Sequence, residues 1–163
     1  MIVVADTSPI NYLVLIDAIH VLPALYEKVI IPKTVSDELQ VPESPQAVRD
    51  WTARYHEWLT LDQSLPSHDP ELDFLDAGES HAIRLVQQLE ADALIIDDRA
   101  GRSEAMRRGI VVIGTLGVLS SAAESDLIDL EDALGRLQKT SFRASPRLVS
   151  QLLQFVKNQK EGR

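Results

Sequence analysis

Short, almost wholly apolar runs recur along the chain, and they constrain its fold more than any other feature. Each is too short for a helix and stops at an Asp, Pro or Gly, which is typical of a strand buried on both faces. The runs lie at residues 2–5, 28–31, 93–96 and 110–113, with a weaker strand predicted at residues 58–61. Helical patterns lie between them. This alternation predicts an α/β fold with three layers (α/β/α) and a central, mainly parallel sheet.

The length suggests how these elements are grouped. A chain of 163 residues suits one domain, so we expect residues 1–163 to form a single domain in which residues 126–163 are a helical C-terminal extension. Residues 62–71, with two prolines, are expected to be a flexible loop. The first helix is predicted to start with Ser8 as N-cap and Pro9 at its first position. The other predicted helices are residues 18–25, 34–39, 46–56, 77–90, 99–108, 114–123, 129–138 and 146–159.

Composition excludes several kinds of site. The chain has no cysteine, which excludes disulfide scaffolds, thiolate zinc sites and cysteine nucleophiles. Its 25 acidic and 16 basic residues give a formal net charge of −9, the wrong sign for holding DNA by bulk charge. No stretch approaches the roughly 20 apolar residues of a membrane-spanning helix, and the N-terminus lacks the basic region of a signal peptide. We therefore expect a cytoplasmic protein without membrane contact.

Acidic residues follow two of the predicted strands. Asp6 comes directly after the first strand, and Asp97 and Asp98 follow the strand at residues 93–96. Ligands of open parallel sheets bind outside the carboxyl ends of the strands, so these acids would face one crevice if the two strands are neighbours. Each also has a purely structural explanation, because Asp is a common N-cap of a following helix.

Two glutamates join these acids by their position. Glu38 lies on the short helix after the second strand, and Glu79 lies at the start of an otherwise apolar helix, where the helix dipole alone would also favour it. Ionised carboxylates about 4 Å apart repel by roughly 4 kcal/mol at an effective dielectric constant of about 20, so four in one crevice require a cation. Oxygen ligands favour Mg²⁺ or Mn²⁺ over Zn²⁺, and such ions can activate water for attack on a phosphodiester.

Ordered motifs point to a family. The chain contains Ala-Asp-Thr-Ser-Pro at residues 5–9, Leu-Asp-Ala-Gly-Glu at 75–79, Ile-Asp-Asp-Arg at 96–99 and Ile-Gly-Thr-Leu-Gly at 113–117. In this order they resemble the PIN-domain family, and within it the VapC-like toxin ribonucleases of type II toxin–antitoxin systems. The resemblance implies a PIN-like domain that hydrolyses phosphodiester bonds of single-stranded RNA with Mg²⁺ or Mn²⁺.

The family's acidic quartet falls, position by position, on Asp6, Glu38, Glu79 and Asp98, which are thereby the implied catalytic and metal-binding residues. Most members of the family carry Asp at the third position of the quartet. Glu79 keeps the negative charge on a side chain that is one methylene group longer. The resemblance implies that Asp6 and Asp98 hold the ion at the scissile phosphate. Glu38 and Glu79 would complete the site or orient the attacking water.

Neighbouring residues are candidates for supporting roles. Thr7 and Ser8 match the hydroxyl residues that follow the first Asp of the family, although capping explains Ser8 equally well. Successive side chains of a strand point to opposite faces, so Asp97 and Asp98 are not expected to reach the same ion equally. The family pattern places its fourth acid at residue 98, so the resemblance implies that Asp98 is the ligand, and Asp97 is expected to cap the following helix or orient Arg99.

Partners follow from the resemblance and from a few exposed positions. Arg99 and Arg102 could contact an RNA phosphate or a carboxylate of an antitoxin, or belong to a solvated helix face. A cognate antitoxin protein and a homodimer are the implied protein partners. Apolar residues near the C-terminus could supply the contact, but their spacing also suits a helix packed within the chain; they are Leu148, Leu152, Leu153 and Phe155.

Other function classes fit the sequence less well. A phosphorelay receiver requires a Lys after the last strand, and none lies near residues 114–115. A haloacid-dehalogenase-like phosphatase requires Asp-x-Asp after its first strand, and no Gly-rich phosphate loop with Lys is present. The remaining alternative to the nuclease is a non-catalytic binding module with an acidic pocket, of receiver-like or PIN-like scaffold type.

Overall fold

The computed structural model describes residues 1–163 and is built on five parallel strands. The strands are β1 (Ile2–Ala5), β2 (Lys28–Pro32), β3 (Leu59–Asp62), β4 (Ala93–Ile95) and β5 (Val112–Ile113), and their order in the sheet is β3-β2-β1-β4-β5. The helices are α1 (Thr7–Leu15), α2 (Val21–Leu25), α3 (Lys33–Leu39), α4 (Gln46–Ala53), α5 (Ala77–Leu89), α6 (Arg99–Arg107), α7 (Thr115–Glu124), α8 (Leu130–Gln138) and α9 (Pro146–Glu161). The predicted three-layer α/β/α fold is confirmed, and the sheet is wholly parallel.

Alternation along the buried strands divides the interior into two apolar clusters, one on each face of the sheet. Val3 and Ala5 of β1 belong to the larger cluster, which contains buried side chains from α1–α4 and α7–α9. Val4 faces the other way, into a smaller cluster with side chains of α5 and α6. Three of the four residues of β1, Val3, Val4 and Ala5, are fully buried, as expected for the central strand of such a sheet. No helix has the length and apolar composition needed to cross a membrane.

Several element boundaries differ from the predicted ones. Helix α1 begins at Thr7 with Asp6 in the N-cap position, so the prediction that Ser8 caps it is wrong. The apolar run at residues 110–113 forms only two residues of strand, because β5 lies at the edge of the sheet and pairs with β4 alone. The predicted loop at residues 62–71 leads into a 3₁₀ turn (Pro70–Leu72), and Leu72 is fully buried.

A nearly buried ion-pair cluster ties this 3₁₀ turn to the end of α6. The Arg108 side chain is 9% exposed, donating from Nε to Glu104 at 2.9 Å and from Nη1 to Asp69 at 2.8 Å. Arg107 also donates to Glu104, at 2.6 Å. Hydrogen bonds from Arg107 and then Arg108 lower the pKa of Glu104 to about 2. The cluster holds α6, and with it the end of β4, against the loop that precedes α5.

Acid should weaken this cluster. Because the pKa of Glu104 is about 2 in the fold and 4.5 ordinarily, its ionised form stabilises the fold above pH 4.5, and this contribution is lost as the pH falls towards 2. At neutral pH we expect Glu104→Gln to lower the free energy of unfolding by about 2 kcal/mol, with a smaller difference from wild type near pH 3. Urea unfolding across this pH range measures it. The exposed Glu131→Gln is the control, and a Glu104→Gln effect independent of pH would contradict the argument.

Candidate functional site

The pairing of β1 with β4 brings the acids that follow these strands to one edge of the sheet. Ala5 pairs with Ile95, and the backbone N–H of Asp6 donates to the Ile95 carbonyl at 2.9 Å. The two strands are therefore neighbours, as the crevice argument required. Asp6, Asp97 and Asp98 lie where both strands end.

Asp6 is the most buried of these acids, with 4% of its surface exposed. It occupies the N-cap position of α1 without capping it, and its Oδ1 atom has no hydrogen-bond partner. Burial raises its pKa to about 7; the Thr7 backbone N–H opposes this, and the nearby charges of Asp76, Glu38 and Asp97 add to it. A buried carboxylate oxygen without a donor is costly, so this side chain suits a site that a cation completes.

Glu38 is held by donors from two other helices. Its Oε2 accepts from the Thr7 hydroxyl at the start of α1, and its Oε1 accepts from the Gly78 backbone N–H of α5 at 3.0 Å. A Cβ atom at position 78 would lie 2.7 Å from that Oε1, so only glycine allows the approach. Both Glu38 oxygens are thus engaged within the protein.

Glu79 is half-buried at the start of α5. Burial, followed by the charges of Asp76, Asp98 and Asp6, raises its pKa to about 8. Asp76 is a member of this group that we did not single out from the sequence. It caps α5 by accepting from the Glu79 backbone N–H at 2.8 Å, and the signal for it was the Asp-x-x-Glu spacing of a capping box.

Asp97 and Asp98 have different partners. The exposed Asp98 caps α6, accepting at Oδ2 from the Gly101 N–H at 2.9 Å, which leaves its Oδ1 free of protein donors. Asp97 accepts from both the backbone N–H and the hydroxyl of Thr115, each at 2.7 Å. The expectation that Asp97 caps the following helix or orients Arg99 is therefore wrong: Asp98 caps α6, and Asp97 holds the start of α7, the helix that follows β5.

These hydrogen bonds explain why the acids do not form a ready-made ligand set. No three Asp, Glu or His side chains of the chain are grouped as a metal site. Among the predicted quartet, the Oδ1 atoms of Asp6 and Asp98 and the Glu79 carboxylate accept no hydrogen bond from the protein, whereas both Glu38 oxygens accept one. All the atoms available as metal ligands are carboxylate oxygens, which suit a hard divalent cation. The raised pKa values of Asp6 and Glu79 show that negative charge is costly here without one.

A groove of about 870 Å³ opens beside these acids. Ser8 and Arg102 line it, whereas Arg99 is exposed outside it. Arg102 is anchored, because its Nη1 donates to the Ile96 carbonyl at 2.9 Å. The lining residues are Ser8, Tyr12, Glu79, Asp97, Asp98, Arg102, Val112, Ile113, Gly114, Leu116, Gly117, Ser121, Phe142, Arg143 and Leu148.

Comparison with known proteins connects this geometry to a family. A family model described as DUF3368, PIN domain, matches residues 2–158. The chain belongs to this PIN-domain family. Comparisons with curated proteins and with solved structures gave no match. PIN domains are generally nucleases and usually use divalent metal ions, so the groove of this PIN domain lies in a nuclease fold.

The contact between Gly78 and Glu38 can be tested by a matched pair of substitutions. Gly78→Ala should lower the free energy of unfolding by about 1 kcal/mol, because the new methyl group displaces the Glu38 carboxylate from its donors. Gly135→Ala in α8 meets no atom within 4 Å, and it should raise stability by up to about 1 kcal/mol through helix propensity. Urea unfolding measures both. Equal stabilisation by the two substitutions would show that Glu38 does not need the close approach.

Proposed function

We propose that this PIN domain is a metal-dependent endoribonuclease that hydrolyses phosphodiester bonds of single-stranded RNA. The observation that carries the proposal is the buried Asp6 carboxylate, whose Oδ1 has no donor, at the carboxyl end of the central strand. The charge of Asp98 is close enough to raise the pKa of Glu79, and both side chains line the groove. A buried acid with acidic neighbours lowers the stability of the fold, and a bound cation would remove this cost.

Asp6, Glu79 and Asp98 would hold Mg²⁺ or Mn²⁺. Such an ion supplies an activated water and stabilises the charge that develops on a displaced phosphodiester oxygen. We assign Glu38, which the family resemblance also placed among the ligands, to positioning, because it links the first turns of α1 and α5, which carry Thr7 and Gly78.

The remaining side chains at the groove would orient the substrate. Arg102 has one guanidinium nitrogen fixed on the Ile96 carbonyl and others without protein partners, which suits a hydrogen bond to an RNA phosphate. Ser8 offers a hydroxyl group to the groove, next to the acid that precedes α1. Arg99 is exposed and available for RNA or for a protein partner at the rim.

The toxin role, the cognate antitoxin and the homodimer belong to the same proposal, and the family resemblance supports them. On α9, Leu148 and Phe155 are exposed by 44% and 50%, whereas Leu152 and Leu153 pack against the larger core cluster. Of these four side chains, the two exposed ones are available for association, and Leu148 also lines the groove. We expect light scattering of the purified protein to give a dimer at micromolar concentration, and an 18 kDa monomer throughout would contradict dimerisation.

Metal dependence should be visible in both cleavage and stability. We expect cleavage of single-stranded RNA with Mg²⁺ or Mn²⁺ and none with excess EDTA. Mn²⁺ should raise the Tm of the wild type, because an ion that binds only the folded state stabilises it. Asp6→Asn should lose cleavage and the Mn²⁺-induced rise in Tm, yet be more stable than wild type without metal, since it removes a buried, unpaired charge. Full cleavage in excess chelator would contradict the proposal.

Asp98→Asn and Asp97→Asn provide the matched comparison. The amide oxygen that Asp98→Asn introduces can still accept the Gly101 hydrogen bond, so this variant should lose cleavage and keep a nearly unchanged metal-free Tm. Asp97→Asn should weaken the start of α7 by about 1 kcal/mol while keeping measurable turnover, because both Asp97 oxygens serve Thr115. The reverse pattern, with Asp97→Asn inactive and Asp98→Asn active, would exchange the two roles.

A further inference from the structure

The segment between α8 and α9 forms one wall of the acidic groove. We call residues 140–145 the wall segment; Phe142 and Arg143 from it line the groove. The same two side chains also line an adjoining cavity of about 460 Å³. The wall segment lies more than forty residues beyond Asp98 in the chain, so no local sequence pattern connects it with the site.

Contacts with α1 and with its own flanks hold the wall segment in place. The Tyr12 hydroxyl lies 2.9 Å from the Ser141 hydroxyl, and the Tyr12 and Phe142 rings meet edge to face with centroids 5.1 Å apart. The Phe142 backbone N–H donates to the Thr140 hydroxyl at 3.1 Å, and the Ser145 hydroxyl caps α9. Arg143 therefore projects from a segment that is fixed on both sides.

Arg143 differs from Arg102, the other basic side chain that lines the groove, and from the arginines at the end of α6. It is exposed, and its guanidinium makes no hydrogen bond or ion pair within the chain. Arg102, the other basic residue of the groove, has one nitrogen committed to the Ile96 carbonyl. Arg107 and Arg108 are committed to Glu104 and the 3₁₀ turn. Arg143 is thus the one lining cation whose donors are all available.

The negative charge of the groove indicates what the free Arg143 guanidinium could bind. Glu79, Asp97 and Asp98 line the groove of a chain with a net charge of −9, so they repel a nucleic-acid backbone. Arginine binds phosphate through two parallel hydrogen bonds, and single strands are held by basic groups along a groove. A cation that lines the same groove would offset the repulsion.

We propose that Arg143 binds a backbone phosphate of the single-stranded RNA substrate and so holds the strand along the groove; this rests on the proposed ribonuclease function. Tyr12, which anchors the wall segment, lies one turn of α1, about 5.4 Å, beyond Ser8. Arg143 is not one of the acids proposed to hold the ion, so its role in the proposal is to position the strand, and it is a positioning residue.

Cleavage kinetics with Mn²⁺ and a labelled single-stranded oligoribonucleotide test the assignment. Arg143→Ala should raise KM about tenfold, the loss of one charged hydrogen-bonding group, and leave kcat nearly unchanged. The slope of log(kcat/KM) against log salt concentration should become shallower by about 0.7, the value for one lost contact to a single strand. Arg143→Lys should recover part of the loss in KM.

Arg147→Ala is the matched control. Arg147 is an exposed arginine of α9, four residues away, which lines neither the groove nor the adjoining cavity and has no ion pair. Its substitution removes the same charge from the protein, so any effect of net charge alone appears in both variants. We expect Arg147→Ala to have the KM and the salt slope of the wild type, and both variants to keep the wild-type Tm.

The outcomes of these measurements separate the two proposals. If the wild type cleaves RNA while Arg143→Ala and Arg147→Ala have equal KM and equal salt slopes, the Arg143 assignment is overturned and the ribonuclease stands. If the wild type does not cleave RNA, the proposed function fails, and fluorescence anisotropy with the same oligoribonucleotide decides the assignment. Binding weakened by Arg143→Ala alone then supports a phosphate site at Arg143, and absent or equal binding overturns it.

Discussion

Parallel pairing of β1 with both β2 and β4 is the constraint on which the site depends. Parallel strands end at the same edge, so the residues that follow them gather there whatever their separation in the chain. Asp6 follows β1, Glu38 lies on the helix after β2, and Asp98 follows β4. Because the strands run in the same direction, several carboxyl groups lie close together, and they repel one another. An antiparallel neighbour would have sent one of these acids to the opposite edge.

The protein manages this repulsion by engaging some carboxylates and leaving others unpaired. Glu38 and Asp97 use both oxygens to join elements, α3 to α1 and α5 in one case and the end of β4 to α7 in the other. Asp6 has no such use, although it is the most buried acid of the group, and Glu79 shares its raised pKa. The carboxylates with protein partners therefore stabilise the fold, and those without partners are the candidates for binding a cation.

The sheet and the acids that follow its strands could be predicted from the sequence, but the hydrogen-bond partners of these acids could not. Burial on both faces requires continuous apolar runs, so the strands and their order along the chain could be predicted, and the fold class is confirmed. The engagement of Asp97 with Thr115, eighteen residues on, depends on β5 lying beside β4, which no local pattern reveals. The place of Arg143 at the groove was missed for the same reason, because the wall segment is held there by residues distant in the chain, among them Tyr12. The assignment of the quartet as ligands stays a prediction.

The cluster around Arg108 has a practical consequence for handling the protein. Its side chain and that of Glu104 are both about nine-tenths buried, and ion pairs shielded from solvent are screened far less by dissolved salt than exposed ones. A polyanion held at the rim of the groove, by contrast, exchanges readily with small counterions. If the groove binds RNA as proposed, concentrated salt should therefore release the RNA while α6 stays anchored. Purification at high salt concentration would then give folded protein without bound nucleic acid, so that binding measurements start from an empty groove.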